Sequence, residues 1–126
     1  MEKALLIGLT LFNIALLVYS IATWAGVLSK KLKKWHLVLF WVGLIADVSG
    51  TLVIGWQYGG FVPNLHSYLG AIALVAMLAH NIAATKKLSG ADEKGIAAFP
   101  KKISLPVWVI WMISYVAGLI LSGSSH

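Results

Sequence analysis

Residues 35–58 read WHLVLFWVGLIADVSGTLVIGWQY. They contain no lysine or arginine, one carboxylate at Asp47 and one imidazole at His36. A helix rises 1.5 Å per residue, so about 20 residues cross the roughly 30 Å of hydrocarbon in a bilayer, and this run is long enough to do so. Trp35, Trp56 and Tyr58 stand at its ends, where amphipathic rings favour the headgroup region. Three further runs share its character, and with it they give predicted spans at 4–28, 35–58, 65–85 and 103–121. Lipid supplies no hydrogen-bond partners, so runs of this length close their own backbone bonds as helices. The predicted fold is all-α: one domain over residues 1–126, an integral-membrane, up-down four-helix bundle.

The composition agrees. Of 126 residues, 60% are hydrophobic and 11% charged, and the mean hydropathy is +0.87. A soluble domain of this size needs far more polar surface. The first run is too long for a signal peptide, lacks a small-x-small cleavage pattern and is followed at once by SKKLKK at 29–34, a stop-transfer signal. The absence of cysteine excludes disulfides, thiolate metal sites and iron–sulfur clusters.

The formal charge is +6, and all ten basic residues are lysines. Nine of them lie in two segments, 30–34 and 86–102, rather than over one face as a nucleic-acid partner would require. Such clusters mark cytoplasmic connections. The connection GWQYGGFVPN at 55–64 has no charge, and its glycines and Pro63 signal a turn. The expected placement is multi-pass in the cell membrane, with lysine-rich loops inside and both termini outside.

Polar side chains inside apolar spans are costly, so each is a candidate site. The first span carries Asn13 and Ser20; the second His36, Asp47, Ser49 and Thr51; the third His66, Ser67, His80 and Asn81; the fourth Ser114 and Tyr115. His66 and His80 are fourteen residues apart, which places them about 40° from alignment and about 21 Å apart along one helix. Gly70, Ala73 and Met77 lie between them on that stripe, leaving room for a planar guest or for a close helix contact. His36 and His80 both fall in the inner leaflet on neighbouring antiparallel spans, with tilt able to bring them level.

Facing imidazoles in a helix bundle are a usual way to hold heme iron. His80 therefore reads as a heme ligand, as a hydrogen-bonded structural or proton-handling group, or as a ligand of another metal. His66, at a surface, reads more simply as a solvated histidine at a helix start. An inner heme would have Lys33, Lys34, Lys86 and Lys87 near its propionates. An outer one, using His66, would lack an evident second ligand, since His126 is terminal. One heme b is favoured over two. Asp47 must be hydrogen-bonded or protonated, with Asn13 or Tyr115 as candidate partners, or relay protons toward a histidine. It sits about 16 Å along the axis from His36, so a divalent ion could join Asp47 only to a histidine of another helix.

There is no P-loop, HExxH or GxSxG motif, and the spans contain neither paired carboxylates nor arginine. A stand-alone enzyme is not indicated.

Taken together, KKWHLVLFWVGLIADVSGT (33–51), GGFVPNLHSYLGAIALVAMLAHNIAAT (59–85) and SLPVWVIWMISYVAGL (104–119) resemble the HsmA family, small prokaryotic four-span membrane proteins of about this length. The resemblance runs from the second span onward and rests on Lys34-Trp35-His36, on Asp47 with Gly50-Thr51, and on the pair His66 and His80. It implies the four-span fold and no particular reaction. Family members often start the fourth span with a histidine between Phe and Ser, where this chain has Phe99-Pro100-Lys101-Lys102-Ile103-Ser104. That departure removes a candidate partner for His80 and leaves His36.

Two functions remain. The leading expectation is a small b-type heme protein with His36 and His80 as axial ligands, exchanging electrons with a quinone or a partner protein. The alternative is a cofactor-free accessory subunit or proton-handling bundle in which Asp47, His80 and Asn81 carry protons or hold helices together.

Overall fold

The structure, a computed structural model, describes the backbone of residues 2–57, 65–90 and 93–124, with side chains chiefly over 6–56, 68–90 and 93–118. Tyr58, Pro63 and His126 lie outside the described residues, as does the side chain of His66. The described chain is helical almost throughout: α1 (Glu2–Ser29), α2 (Lys34–Gln57), α3 (Leu65–Gly90), α4 (Glu93–Phe99), a π-helical turn (Pro100–Ser104) and α5 (Leu105–Ser124). Four stretches, the last running from α4 through α5, are long and apolar enough to cross a membrane.

The first connection is short because both helix ends are closed locally. Lys30 takes a left-handed conformation, φ 59°. The N–H groups of Lys30 and Lys31 then bond back to the carbonyls of Val27 and Gly26, each at 3.3 Å. This is the αL closure usual at helix C-termini, with lysine where glycine is preferred. Leu32 is buried and donates its N–H to the Ile96 carbonyl at 2.9 Å, tying the turn to α4. At the start of α2 the Lys33 N–H donates to His36 Nδ1 at 3.1 Å, a side chain in the first turn reaching back to a free backbone donor.

The second lysine-rich segment differs from expectation. Residues 86–102 were to be a loop, yet α3 continues through Lys86 and Lys87 to Gly90, and the chain is helical again from Glu93. Lysine is a good helix former, and its long stem lets the charge leave an apolar surface while the backbone stays helical. The π turn falls between two prolines. Pro106 has no N–H to continue the α-helical ladder, and the slip in register is completed by the Leu105 N–H bonding to the Pro100 carbonyl.

α1 and α2 form the most extensive pairing, with α5 packed on α3 and α2 meeting α3 less widely. The α1–α2 seam is close because glycines sit in it. A Cβ on Gly8 would fall 2.5 Å from Ile54, one on Gly43 2.5 Å from the Tyr19 ring, and one on Gly50 3.1 Å from Phe12. At the lysine-rich end, Gly26 lies against Pro100 and the His36 ring. These pairs are mutually consistent with one unbroken antiparallel register. The lipid-facing surface is apolar all round, with Leu17, Ile45 and Val75 each more than 60% exposed.

Candidate functional site

Among the described residues, the most deeply buried polar side chains form two groupings, beside a few polar atoms without partners. The first grouping is centred on Asp47, near the middle of α2. Its side chain is 6% exposed. Oδ2 accepts a hydrogen bond from Trp111 Nε1–H of α5 at 2.9 Å. The Tyr19 ring meets Trp111 edge-on, with centroids 5.2 Å apart, and its hydroxyl lies close enough to the carboxyl to interact with it. That contact lacks hydrogen-bonding geometry, so the buried hydroxyl remains without a partner. Neither predicted partner reaches Asp47: Tyr115 donates to Asn13 Oδ1 at 2.6 Å instead. Tyr115 stacks on Trp111 and reaches across to α1 nearer the chain's N-terminal end, which leaves the carboxyl to the indole.

The second grouping is centred on His80 of α3, 2% exposed. Asn81 Nδ2 donates to the Phe40 carbonyl at 3.0 Å, which fixes its amide so that Oδ1 faces His80 Nδ1 at 2.8 Å. Nδ1 must therefore carry the proton, and Nε2 accepts from Ser104 Oγ–H at 2.7 Å. Phe40 and Phe99 flank the ring, at centroid distances of 4.4 and 5.3 Å. Beyond Asn81, Thr85 Oγ1 donates to the Asn81 carbonyl and accepts from Trp41 Nε1–H. The network joins α2, α3 and the π turn at one level.

His36 is fully buried and stands apart from that network. Its Nδ1 accepts from the Lys33 N–H, so a neutral ring carries its proton on Nε2, and Nε2 has no partner. Thr23 Oγ1 of α1 is likewise buried without a partner.

These tautomers bear on the expected heme. Iron binds the imidazole nitrogen that carries no proton, while the other nitrogen donates outward. His80 has that tautomer, but Ser104 Oγ holds the place of the iron at 2.7 Å. His36 has the opposite one, because a backbone donor fixes Nδ1 as the acceptor. Ala73 and Met77, read as flooring a space for a planar guest, are core residues filled around by their neighbours. As packed, the two histidines do not fit a shared porphyrin. For a divalent metal, no group of three or more suitable side chains gathers among the described residues.

The residues that matter most to this interior and escaped the sequence reading are Tyr19, Thr23, Ser104 and Trp111. Tyr19 and Trp111 are aromatics within apolar runs, with nothing in the sequence to single them out, and Ser104 is the second residue of the predicted fourth span. Thr23 lies four residues after Tyr19, on the same helix face, and that spacing was the signal available.

Fold and interior together define a class: an all-helical bundle of four candidate membrane spans with a buried carboxyl and histidines inside it. Comparison with protein-family models, curated proteins and solved structures finds no match for the chain.

Proposed function

We propose that the protein is a proton-handling membrane bundle that works without a resident redox cofactor, with Asp47 as the group that takes up and releases the proton. One observation carries this reading. A carboxyl is buried midway along an apolar helix, held by a neutral indole N–H, while the sequence offers no lysine or arginine between Lys34 and Lys86. An ionisable group is expensive to keep at such depth and marks a proton or ion pathway. The indole can donate to the carboxyl in either protonation state, so the site tolerates exchange without repacking. His80 and its partners serve as a hydrogen-bond brace. By the lysine bias, the braced end faces the cytoplasm, in a cell-membrane protein with both termini outside.

The experiment is proton uptake into liposomes that contain the purified protein and a trapped pH-sensitive dye, driven by a potassium diffusion potential. Wild type should acidify the lumen, and Asp47→Asn should do so at least about tenfold more slowly, as expected for loss of a group that relays the proton. Flux no faster than in empty liposomes would reject the reading. The same preparation tests the b-type heme expectation. A Soret band that survives gel filtration after hemin addition and disappears in His80→Ala would restore it, together with its quinone or protein partner.

A further inference from the structure

The lysine-rich end is hollowed as well as charged. The α1–α2 turn, α3 and α4 line a depression of about 490 Å³ there, within the roughly 300–1,000 Å³ usual for small-ligand sites. Lys30, Lys31, Lys33 and Lys34 stand around it with one carboxylate, Glu93, so four positive charges against one negative leave a net +3. Apolar groups fill the places between: Leu32 of the turn, Leu88 of α3, and Ile96 and Ala97 of α4. The arrangement is held in place, because Leu32 is 2% exposed and its N–H bonds to the Ile96 carbonyl at 2.9 Å, locking the turn against α4. Trp35, 49% exposed, directly follows Lys34, and an exposed indole at the end of a span sits at the headgroup level of a bilayer. The depression therefore lies at the depth of lipid phosphates.

From this combination we propose that the depression is a binding site for one anionic phospholipid of the adjoining leaflet, its phosphate held by the lysines of the α1–α2 turn and the start of its acyl chains lying on Leu88 and Ile96. An ammonium group is a compact charge with three donors on a flexible stem, so several can converge on one phosphate without a fixed angle of approach. A soluble anion would use the lysines and leave the apolar side chains wet. A zwitterionic lipid would cover the apolar side chains but bring its own cation against a wall of net positive charge. An amphiphile with a net negative headgroup satisfies both halves, and basic pockets at the cytoplasmic ends of spans are suited to such headgroups. The site is independent of the proton-handling reading, since Asp47 lies thirteen residues, about 20 Å of helix, beyond Lys34.

Native mass spectrometry tests the proposal on the full chain, released from detergent micelles after incubation with equal amounts of phosphatidylglycerol and phosphatidylcholine of the same acyl chains. Wild type should retain one phosphatidylglycerol at least about tenfold more often than one phosphatidylcholine; equal retention would overturn the proposal. Lys31→Gln with Lys34→Gln, both at exposed positions, should lower that retention about 30-fold, as expected for two lysines beside an anionic headgroup. Lys101→Gln with Lys102→Gln removes the same charge from two residues that do not line the depression, and should lower it no more than about threefold. Equal losses from the two pairs would mean diffuse attraction to a charged end and would overturn the site. Ala97→Trp keeps every charge and fills the depression, so it should also abolish the preference; unchanged retention would overturn the pocket. Glycerol 3-phosphate carries the phosphate without the chains, and even at about 100-fold molar excess it should not displace the lipid, because it lacks the apolar contact. Displacement would show a site for a soluble anion and overturn the lipid as its occupant.

Discussion

At the scale of single residues, the interior is governed by which atom of each polar group already has a partner. Asp47 meets Trp111, and His80 is bonded at both nitrogens, whereas His36 is bonded at one. An unmade buried bond costs more than a made one returns, because the abandoned group loses water and gains nothing. Trp111→Phe should therefore destabilise the protein by roughly 1–3 kcal/mol by stranding the carboxyl, read as a lower midpoint in chemical unfolding from detergent micelles. Ser104→Ala should cost about 1–2 kcal/mol, since His80 Nε2 would lose its donor inside an apolar setting. If Ser104→Ala unfolded with the wild-type midpoint, the His80 network would not brace the bundle.

At the scale of elements, the α1–α2 pair depends on backbone proximity. Without a hydrophobic driving force between helices in lipid, close packing over small residues is what holds them. Gly43 is one of the two tightest points, since a Cβ there would lie 2.5 Å from the edge of the Tyr19 ring, which packs edge-on against Trp111. Gly43→Ala should destabilise by about 1–3 kcal/mol through overpacking, whereas Gly55→Ala, with nothing within 4 Å, should be tolerated; unfolding midpoints of the two variants compare them directly. The end of α1 offers the opposite case. Lys30 holds a left-handed conformation that glycine adopts freely, so Lys30→Gly should leave stability unchanged or raise it by up to about 1 kcal/mol.

At the scale of the whole molecule, nine of the ten lysines are gathered at one end. α1 and α2 meet at the first lysine cluster, and α3 and α4 meet at the second, so both clusters fall at the same end of the bundle. The depression lined by Lys30, Lys31, Lys33 and Lys34 is also lined by Glu93 and Ile96 of α4. Cysteines introduced singly at Lys31 and Ser89 should therefore react with a membrane-impermeant maleimide from the same side, and by the positive-inside rule only in inverted vesicles. Reaction of the two from opposite sides would break the four-span topology.

The number of spans, their helical state and their antiparallel order were legible in the sequence, because length, hydropathy and the two lysine clusters are local properties that lipid converts directly into helices. Asp47 also stood out, since a carboxyl in an apolar run is conspicuous wherever it points. What the chain could not reveal was partnership. Helical spacing correctly placed His36 and His80 in the interior, yet whether their rings met iron, each other or serine depended on tilt, on the register of the α1–α2 seam and on a π turn that carries Ser104 to His80. The fate of Lys86 to Lys102 was hidden for a related reason: lysines that mark a membrane boundary say nothing about whether the helix ends there. The unpartnered seam of Tyr19, Thr23 and His36 arises only when two helices from different parts of the chain are laid together, because satisfaction of a hydrogen bond is a property of neighbours in space.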